Sequence, residues 1–530
     1  MKKKLIALLM GAAMVMSLGG CGASNNAPSQ ENGAAEATTD EAVTEAAEEE
    51  IDVPSDEEVS VLRNDLNIYS DLEPETLDLD VSVAAAVMFR NIYGNLYRLN
   101  SNNQISPELA EDYTANDDFT VYTFTLKDDL KFSDGSPLTS ADAKYTFERA
   151  IDMGMEFFMQ IASVETPDDK TIVITLTEPN NSFLTDVASE HMAIMSQAAI
   201  EGGMDVAECP NVTSGAYYVE SWDRESHTIF LKSNPYFVNG EPEIKIVNVM
   251  YKLDEPLYDA MMDGTLDYVS NIPNDSEDIP FLKAVNGVDL MPYDNNSWNF
   301  IALNQELPHY ADENVRRAIS AALDLDYIIG SALDGQGTPA PLIITGSISG
   351  YLPGFNDSPY DVKMAKEYMA ASAFPDGFTM KLEIGDTSGK KVAEVVKTLL
   401  QEINIDVEII EEDGNVLVDN ALSGNYDATF LSYSMYSGHI SHAIPLFREG
   451  ELHISRNPNT EIGDLMQQSL AVDEEKRDEL LSEAYTLMRD KWPYVGLYWT
   501  TVHDAKVEGL SLKEPVTSEK YILANMFWEA

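Results

Sequence analysis

Hydrophobic and polar positions along this chain switch between two periods, and the switching predicts its elements. Residues 5–18 are uncharged and largely apolar, 14 residues set between Lys2-Lys3-Lys4 and Leu18-Gly19-Gly20-Cys21. A membrane span needs about 20 apolar residues, so this run is too short. A basic start, a short apolar core and then small residues mark a secretory signal peptide. Periodicity vanishes from 22 to 58 and returns at Val59-Ser60-Val61-Leu62, a strand-like opening to the folded body. Tyr122, Phe124 and Leu126 alternate within 120–132, as do Ile172, Ile174 and Leu176 within 171–177. Such alternation predicts half-buried strands. Asp134-Gly135-Ser136-Pro137 predicts a turn, and 139–152 a helix capped by Ser140 or Thr139.

In the second half the period lengthens. Val315, Ile319, Ala322, Ile329 and Leu333 predict one helix over 314–333, closed by Gly335. Val392, Val395, Val396, Leu399 and Ile403 share a face, and the alternating strand Ile405, Val407, Ile409 follows. That helix–strand unit is typical of α/β layers. Residues 473–490 predict an amphipathic helix stopped before Pro493, with Leu480, Ala484, Leu487 and Met488 inward. No short-period repeat occurs. At 530 residues the chain is too long for one ordinary domain, so two or three lobes are expected.

Charge and cysteine usage narrow the compartment and the partners. Cys21 directly follows the small residues, a pattern that resembles the bacterial lipobox, in which the thiol is lipidated and becomes the first mature residue. Residues 22–58 hold no Lys, Arg or aromatic residue and cannot bury enough surface to fold. Ideal flexibility gives these 37 residues an end-to-end distance of roughly 35 Å, an acidic stalk. The net charge of −58 repels phosphate backbones and excludes nucleic acid as a partner. Only Cys21 and Cys209 are present, so with Cys21 lipidated no intrachain disulfide is expected, and Cys209 reads as buried and inert.

Catalytic signatures are missing. No G-x-S-x-G, H-E-x-x-H or C-x-x-C occurs. Residues 385–391 approach a phosphate loop, but the glycine spacing is one short and Lys391 stands where a Ser or Thr is required, so a turn and helix start is expected. His439 and His442, at i and i+3, have a spacing that suits either two imidazoles on one metal or an ordinary polar loop. No cofactor or resident metal is expected, and a binding protein is favoured over an enzyme.

Many segments, in order from about 60 to 515, resemble one family. They include Glu73-Pro74-Glu75-Thr76-Leu77-Asp78, Ile92-Tyr93-Gly94-Asn95-Leu96-Tyr97, Pro107-Glu108-Leu109-Ala110-Glu111, Tyr122-Thr123-Phe124-Thr125-Leu126 and the run 132–142. Thr213-Ser214-Gly215-Ala216-Tyr217, Asn234-Pro235-Tyr236-Phe237, Asp263-Gly264-Thr265-Leu266-Asp267, Asn314-Val315-Arg316-Arg317-Ala318-Ile319, the run 360–366 and Asn425-Tyr426-Asp427 continue the order. The chain is similar to the bacterial extracellular solute-binding proteins of the peptide/nickel-binding family (family 5), which serve ABC importers. The resemblance implies an α/β, two-lobed periplasmic-binding-protein-like fold with an extra subdomain in lobe I and a ligand cleft between the lobes. By this analogy the signal peptide is 1–20 and the lipidated cysteine and linker are 21–58. Lobe I is 59–295 plus 504–530, with a subdomain at about 78–209, and lobe II is 296–503. Two crossings fall near Trp298 and Trp499.

The expected cleft is lined by Tyr93, Tyr217, Trp298, Asn299, Tyr433, Tyr436, His439, His442 and Trp499. Peptide binders of the family place an Asp after a Gly-Trp pair to hold the peptide ammonium. Here the aligned run Leu431-Ser432-Tyr433-Ser434-Met435-Tyr436-Ser437 has neither. The family's nickel binders carry a His in this region, which His442-Ala443 resembles, but their cleft arginines have no evident counterpart. The expected function is a monomeric, lipid-anchored substrate-binding component at the cell surface or in the periplasm. It would capture a peptide-like or other small polar solute and deliver it to an ABC permease and ATPase complex. A metal-chelate binder of the same family, a secreted lipoprotein hydrolase and a solute-sensing receptor are the alternatives.

Overall fold

The computed structural model describes residues 63–529, apart from 82–85, 101–103, 156–157, 274–275, 346–347, 386, 436–438, 451 and 515–521. The leader, Cys21, the acidic stalk, the segment at Val59-Ser60-Val61-Leu62 and Tyr436 therefore lie outside the described residues. The main sheet is built from β1 (Asp65–Tyr69), β2 (Tyr217–Asp223), β3 (Thr228–Ser233), β4 (Ile246–Met250), β5 (Tyr268–Pro273) and β6 (Val288–Leu303). It continues with β7 (Gly337–Pro339), β8 (Phe378–Ile384), β9 (Ile405–Glu411), β10 (Ala428–Ser434) and β11 (Tyr494–Val507). Their order is β9-β8-β10-β6-β11-β5-β1-β4-β3-β2, with β7 set against β11. β1 is parallel to β4 and β5, and β8 is parallel to β9 and β10. β6 and β11 are antiparallel from Val288↔Val507 to Ala302↔Tyr494, with bulges at the middle.

A separate four-stranded antiparallel sheet runs Ala110–Ala115, Val121–Leu126, Thr171–Leu176, Ile161–Glu165. The two alternating runs read from the sequence are its central strands, paired Tyr122↔Ile174 and Phe124↔Ile172. Helix α1 (Ser140–Met153) covers it with Ala143, Phe147 and Ala150. Thr139 is its N-cap, in a capping box with Asp142, which satisfies two of the orphan N–H groups at a helix start. The turn ahead of it is a tight reversal: Phe132 N–H donates to Ser136 O at 2.9 Å, and Gly135 sits at φ +84°. A Cβ at Gly135 would lie 3.3 Å from the Tyr236 ring, so the turn and the Asn234-Pro235-Tyr236 segment, distant in sequence, pack together.

The expected single helix over 314–333 is two helices, α2 (Glu313–Ala322) and α3 (Leu325–Ala332). Leu323 is extended, and the Asp324 carboxylate accepts from Tyr327 N at 3.0 Å as a new N-cap. Asp in that role stabilises a restart more than it supports a helix interior. Arg316 explains its own segment. It is buried, is hydrogen-bonded to no carboxylate among the described residues, and donates to the Lys491, Tyr310 and Ala311 carbonyls at 2.8, 2.7 and 3.1 Å. The helix Thr387–Leu400 begins just after Gly385, where the phosphate-loop near miss lies. Next come α4 (Glu461–Ser469) and α5 (Glu474–Lys491). In α5 the buried stripe is Leu481, Ala484, Tyr485 and Met488. Leu480 and Leu487, expected inward, are only partly buried. Cys209, expected buried, is half-exposed, and burial together with Asp205 raises its thiol pKa.

Candidate ligand-binding site

The strand β6 alternates its burial between two cores. Trp298, Phe300 and Ala302 face one cluster, with Ile343, Tyr433 and Trp499, while Ile301 and Leu303 face the other, with Val315 and Val396. A strand covered on both faces reads as a continuous apolar run, which is why residues 300–303 show no alternation. Towards their other ends β6 and β11 pack Leu290 and Ala505 against the core of Val269 and Leu282. These two strands therefore pass side by side between cores built from different parts of the chain.

Six of the expected site residues gather where the strands bulge. Trp298 stands directly opposite Tyr433 on β10 and Trp499 on β11. Its ring stacks on Phe300 at 4.5 Å and its Nε1 donates to Ala340 O at 3.0 Å. Asn299 donates to Thr500 Oγ1 at 2.7 Å. The Tyr433 hydroxyl donates to His442 O at 2.8 Å and its ring lies 5.6 Å from the His442 ring. Trp499 is 1% exposed, and its Nε1 has no hydrogen-bond partner among the described residues. An indole N–H usually finds a partner when buried.

His439 is enclosed beside this group. Its Nδ1 accepts from Ser441 N at 3.0 Å and lies 2.7 Å from Ser441 Oγ. Burial, with Arg477 nearby, pushes its pKa down to about 3, so the ring is neutral at physiological pH. Since Nδ1 accepts, the ring proton sits on Nε2. No group of three or more His, Cys, Asp or Glu side chains with metal-binding geometry occurs among the described residues. Tyr93 and Tyr217 lie elsewhere, enclosed in the core under β1–β4. The Tyr217 hydroxyl donates to Ile244 O at 3.0 Å. Gly215, two residues before it, is pressed against the Tyr93 backbone, where a Cβ would lie 2.5 Å from the Ile92 carbonyl carbon.

One group at the paired strands escaped the sequence reading. Asp504 on β11 is 1% exposed and accepts from the Tyr268 hydroxyl, from the Tyr293 hydroxyl at 3.0 Å and from Asn271 N at 2.8 Å. Burial raises its carboxyl to about 6. Next to it His503 is pushed down to about 4 by burial and by Lys283. The available signal was a His-Asp pair inside an otherwise apolar, strand-like run.

Residues 104–449 match the bacterial extracellular solute-binding proteins, family 5, middle region. The chain belongs to this family. Family 5 proteins are extracytoplasmic, non-enzymatic transport components, and the chain is a substrate-binding component of an ABC importer. It is 27% identical to the glutathione-binding protein GsiB of Salmonella typhimurium over 354 residues, 65% of this chain and 68% of that one. The Escherichia coli K12 GsiB is 26% identical over the same length. Among solved structures, HbpA2 from Haemophilus parasuis superposes with a TM-score of 0.78 at 20% identity, covering 88% of this chain and 100% of that one. NikA from Brucella suis, solved with Fe(III)-EDTA, gives 0.76 at 19%, with coverage of 88% and 100%. Those likenesses establish the two-lobed α/β fold.

Proposed function

We propose that this family 5 protein is anchored through a lipid on Cys21 and captures a peptide-like or other small polar solute between two closing lobes. In this reading lobe I is 59–295 plus 504–530, with the small sheet in its inserted subdomain, and lobe II is 296–503. The observation that carries the reading is the pair of strands β6 and β11, which run between separate cores. Two connections side by side restrict relative motion to a hinge, and clefts between domains are where small-molecule sites form. Trp298, Tyr433 and Trp499 supply aromatic area there, and Asn299, His439 and His442 supply polar orientation. The solute then passes to a permease driven by its ATPase.

The unpartnered Trp499 Nε1 supports a solute with a hydrogen-bond acceptor. Thermal shift of purified protein tests this with a fixed panel: tri-alanine, glutathione, a nickel–histidine chelate and maltotriose. Trp499→Phe keeps an aromatic ring and removes the donor, so it is expected to weaken the responding solute by about tenfold, the scale of one buried hydrogen bond. Unchanged affinity removes Trp499 from the site. A response confined to the nickel chelate, lost in His439→Ala with His442→Ala, selects the metal-chelate alternative.

A further inference from the structure

The two parts of the chain also meet away from the paired strands. The loop ahead of the short helix Phe183–Val187, beside the small sheet, carries Asn180, Asn181 and Ser182. Asn181 donates three hydrogen bonds at the α4–α5 connection: its backbone N to Leu470 O at 2.7 Å and Nδ2 to Ser469 O at 2.8 Å, both at the end of α4, and Nδ2 to Val472 O at 2.6 Å, just before α5. Ser182 Oγ lies 3.5 Å from Ser441 Oγ. The last carbonyls of a helix lack intrahelical donors and carry the negative end of its dipole. Asn181 is therefore a helix C-cap supplied from another part of the fold.

The loop is held ready for this contact. Asn180 Nδ2 donates to Gln160 Oε1 at 2.8 Å and Asp186 Oδ2 at 2.9 Å. Its Oδ1 accepts from Ser182 N and Oγ at 3.0 and 2.7 Å, and its carbonyl from the Tyr122 hydroxyl at 2.6 Å. Asn180 is buried and satisfied within its own unit, whereas its neighbour spends every N–H on carbonyls of the other part of the fold. A donor fixed before contact loses little entropy on forming it. The acceptors are main-chain carbonyls, so the chemistry of the contact resides in Asn181 alone.

We propose that Asn181 is an interlobe latch: by capping α4 it sets how often the lobes close, without touching the solute. The proposal rests on the reading that the two lobes open and close. Asp has the shape of Asn but no side-chain N–H, and it would set a carboxylate against two carbonyl oxygens, those of Ser469 and Val472, so it is expected to open the latch further than Ala.

The test uses the full chain carrying Cys21→Ser and Cys209→Ser, with Ser182→Cys and Ser441→Cys as a reporter pair. A disulfide requires close Cβ atoms, so its rate of formation in a dithiothreitol redox buffer reports how often the contact forms in the solute-free protein. Bridging is expected in this parent, several-fold slower with Asn181→Ala and at least about tenfold slower with Asn181→Asp, the scale of two side-chain hydrogen bonds. Circular dichroism confirms that each variant is folded. A parent that never bridges overturns the closing reading itself. A parent that bridges with both variants at the same rate, or with Asn181→Asp no slower than Asn181→Ala, overturns the latch and leaves closure standing.

Discussion

Replacing Asp504 by Asn should stabilise the protein at neutral pH and leave it nearly unchanged in mild acid. Asp504 is enclosed on β11, and none of its partners among the described residues is a cation. Its carboxyl is raised to about 6 from 3.8 because burial penalises the charged form more than the two tyrosine hydroxyls and the Asn271 N–H offset it. The folded pKa lies above the unfolded one, so between them the folded state holds a proton that the unfolded state has released. The Asp504 contribution to stability is therefore fully present below about pH 4, declines as pH rises, and is fully lost above pH 6. Each pKa unit corresponds to about 1.4 kcal/mol, which puts the loss at about 3 kcal/mol. Asn cannot ionise, and its Oδ1 still accepts, but its amide forces one tyrosine hydroxyl to turn from donor to acceptor. That rearrangement offsets part of the gain and leaves about 1–2 kcal/mol. Urea unfolding of wild type and Asp504→Asn at pH 4.5 and 7.5 reads the difference. A stability gain that does not grow with pH refutes the argument from burial.

Other sites give sharper, local tests. Gly215→Ala would drive a Cβ to 2.5 Å from the Ile92 carbonyl carbon, against main chain that cannot give way; a loss of about 3 kcal/mol in thermal unfolding is expected. Arg316→Lys retains the charge but cannot span three carbonyls on two sides, and a loss of about 2 kcal/mol is expected. His439 titrates in the opposite sense to Asp504. Its folded pKa of about 3 lies below the unfolded value, so its stability contribution is intact above pH 6.5 and is lost as pH falls towards 3. His439→Asn retains an acceptor for Ser441 N and should flatten the acid limb of the stability curve between pH 6.5 and 4.5.

The local elements were legible where residues speak to near neighbours. Tyr122, Phe124 and Leu126 announce a strand because one face is wet, and Thr139 with Asp142 announces a helix start because both act within one turn. The break at Leu323-Asp324 was within reach too, since Asp324 caps the next helix only three residues on; a sustained apolar face concealed it. In α5 Ala484 and Met488 are buried as expected, whereas Leu481 and Tyr485 take the places expected of Leu480 and Leu487, because the choice among neighbouring apolar residues is made by the partner surface. What could not be read is pairing at a distance. Tyr293 reaches Asp504 across 211 positions and Asn181 reaches Val472 across 291. Of the expected site residues, Trp298, Tyr433 and Trp499 share one buried core, with Asn299, His439 and His442 beside it, whereas Tyr93 and Tyr217 belong to a different core beneath β1–β4. Family motifs mark both kinds of position, since the Gly215 segment owes its pattern to close packing.

Central to the proposed function is capture of a small polar solute between the two lobes. Mass spectrometry of solute released on denaturing the protein, purified from its native host without dialysis, tests it most directly. One chemical species near one equivalent per chain is expected from wild type, reduced or absent in a Trp298→Ala, Trp499→Ala variant that remains folded. Release of no solute from wild type, or equal amounts from wild type and the variant, would contradict it.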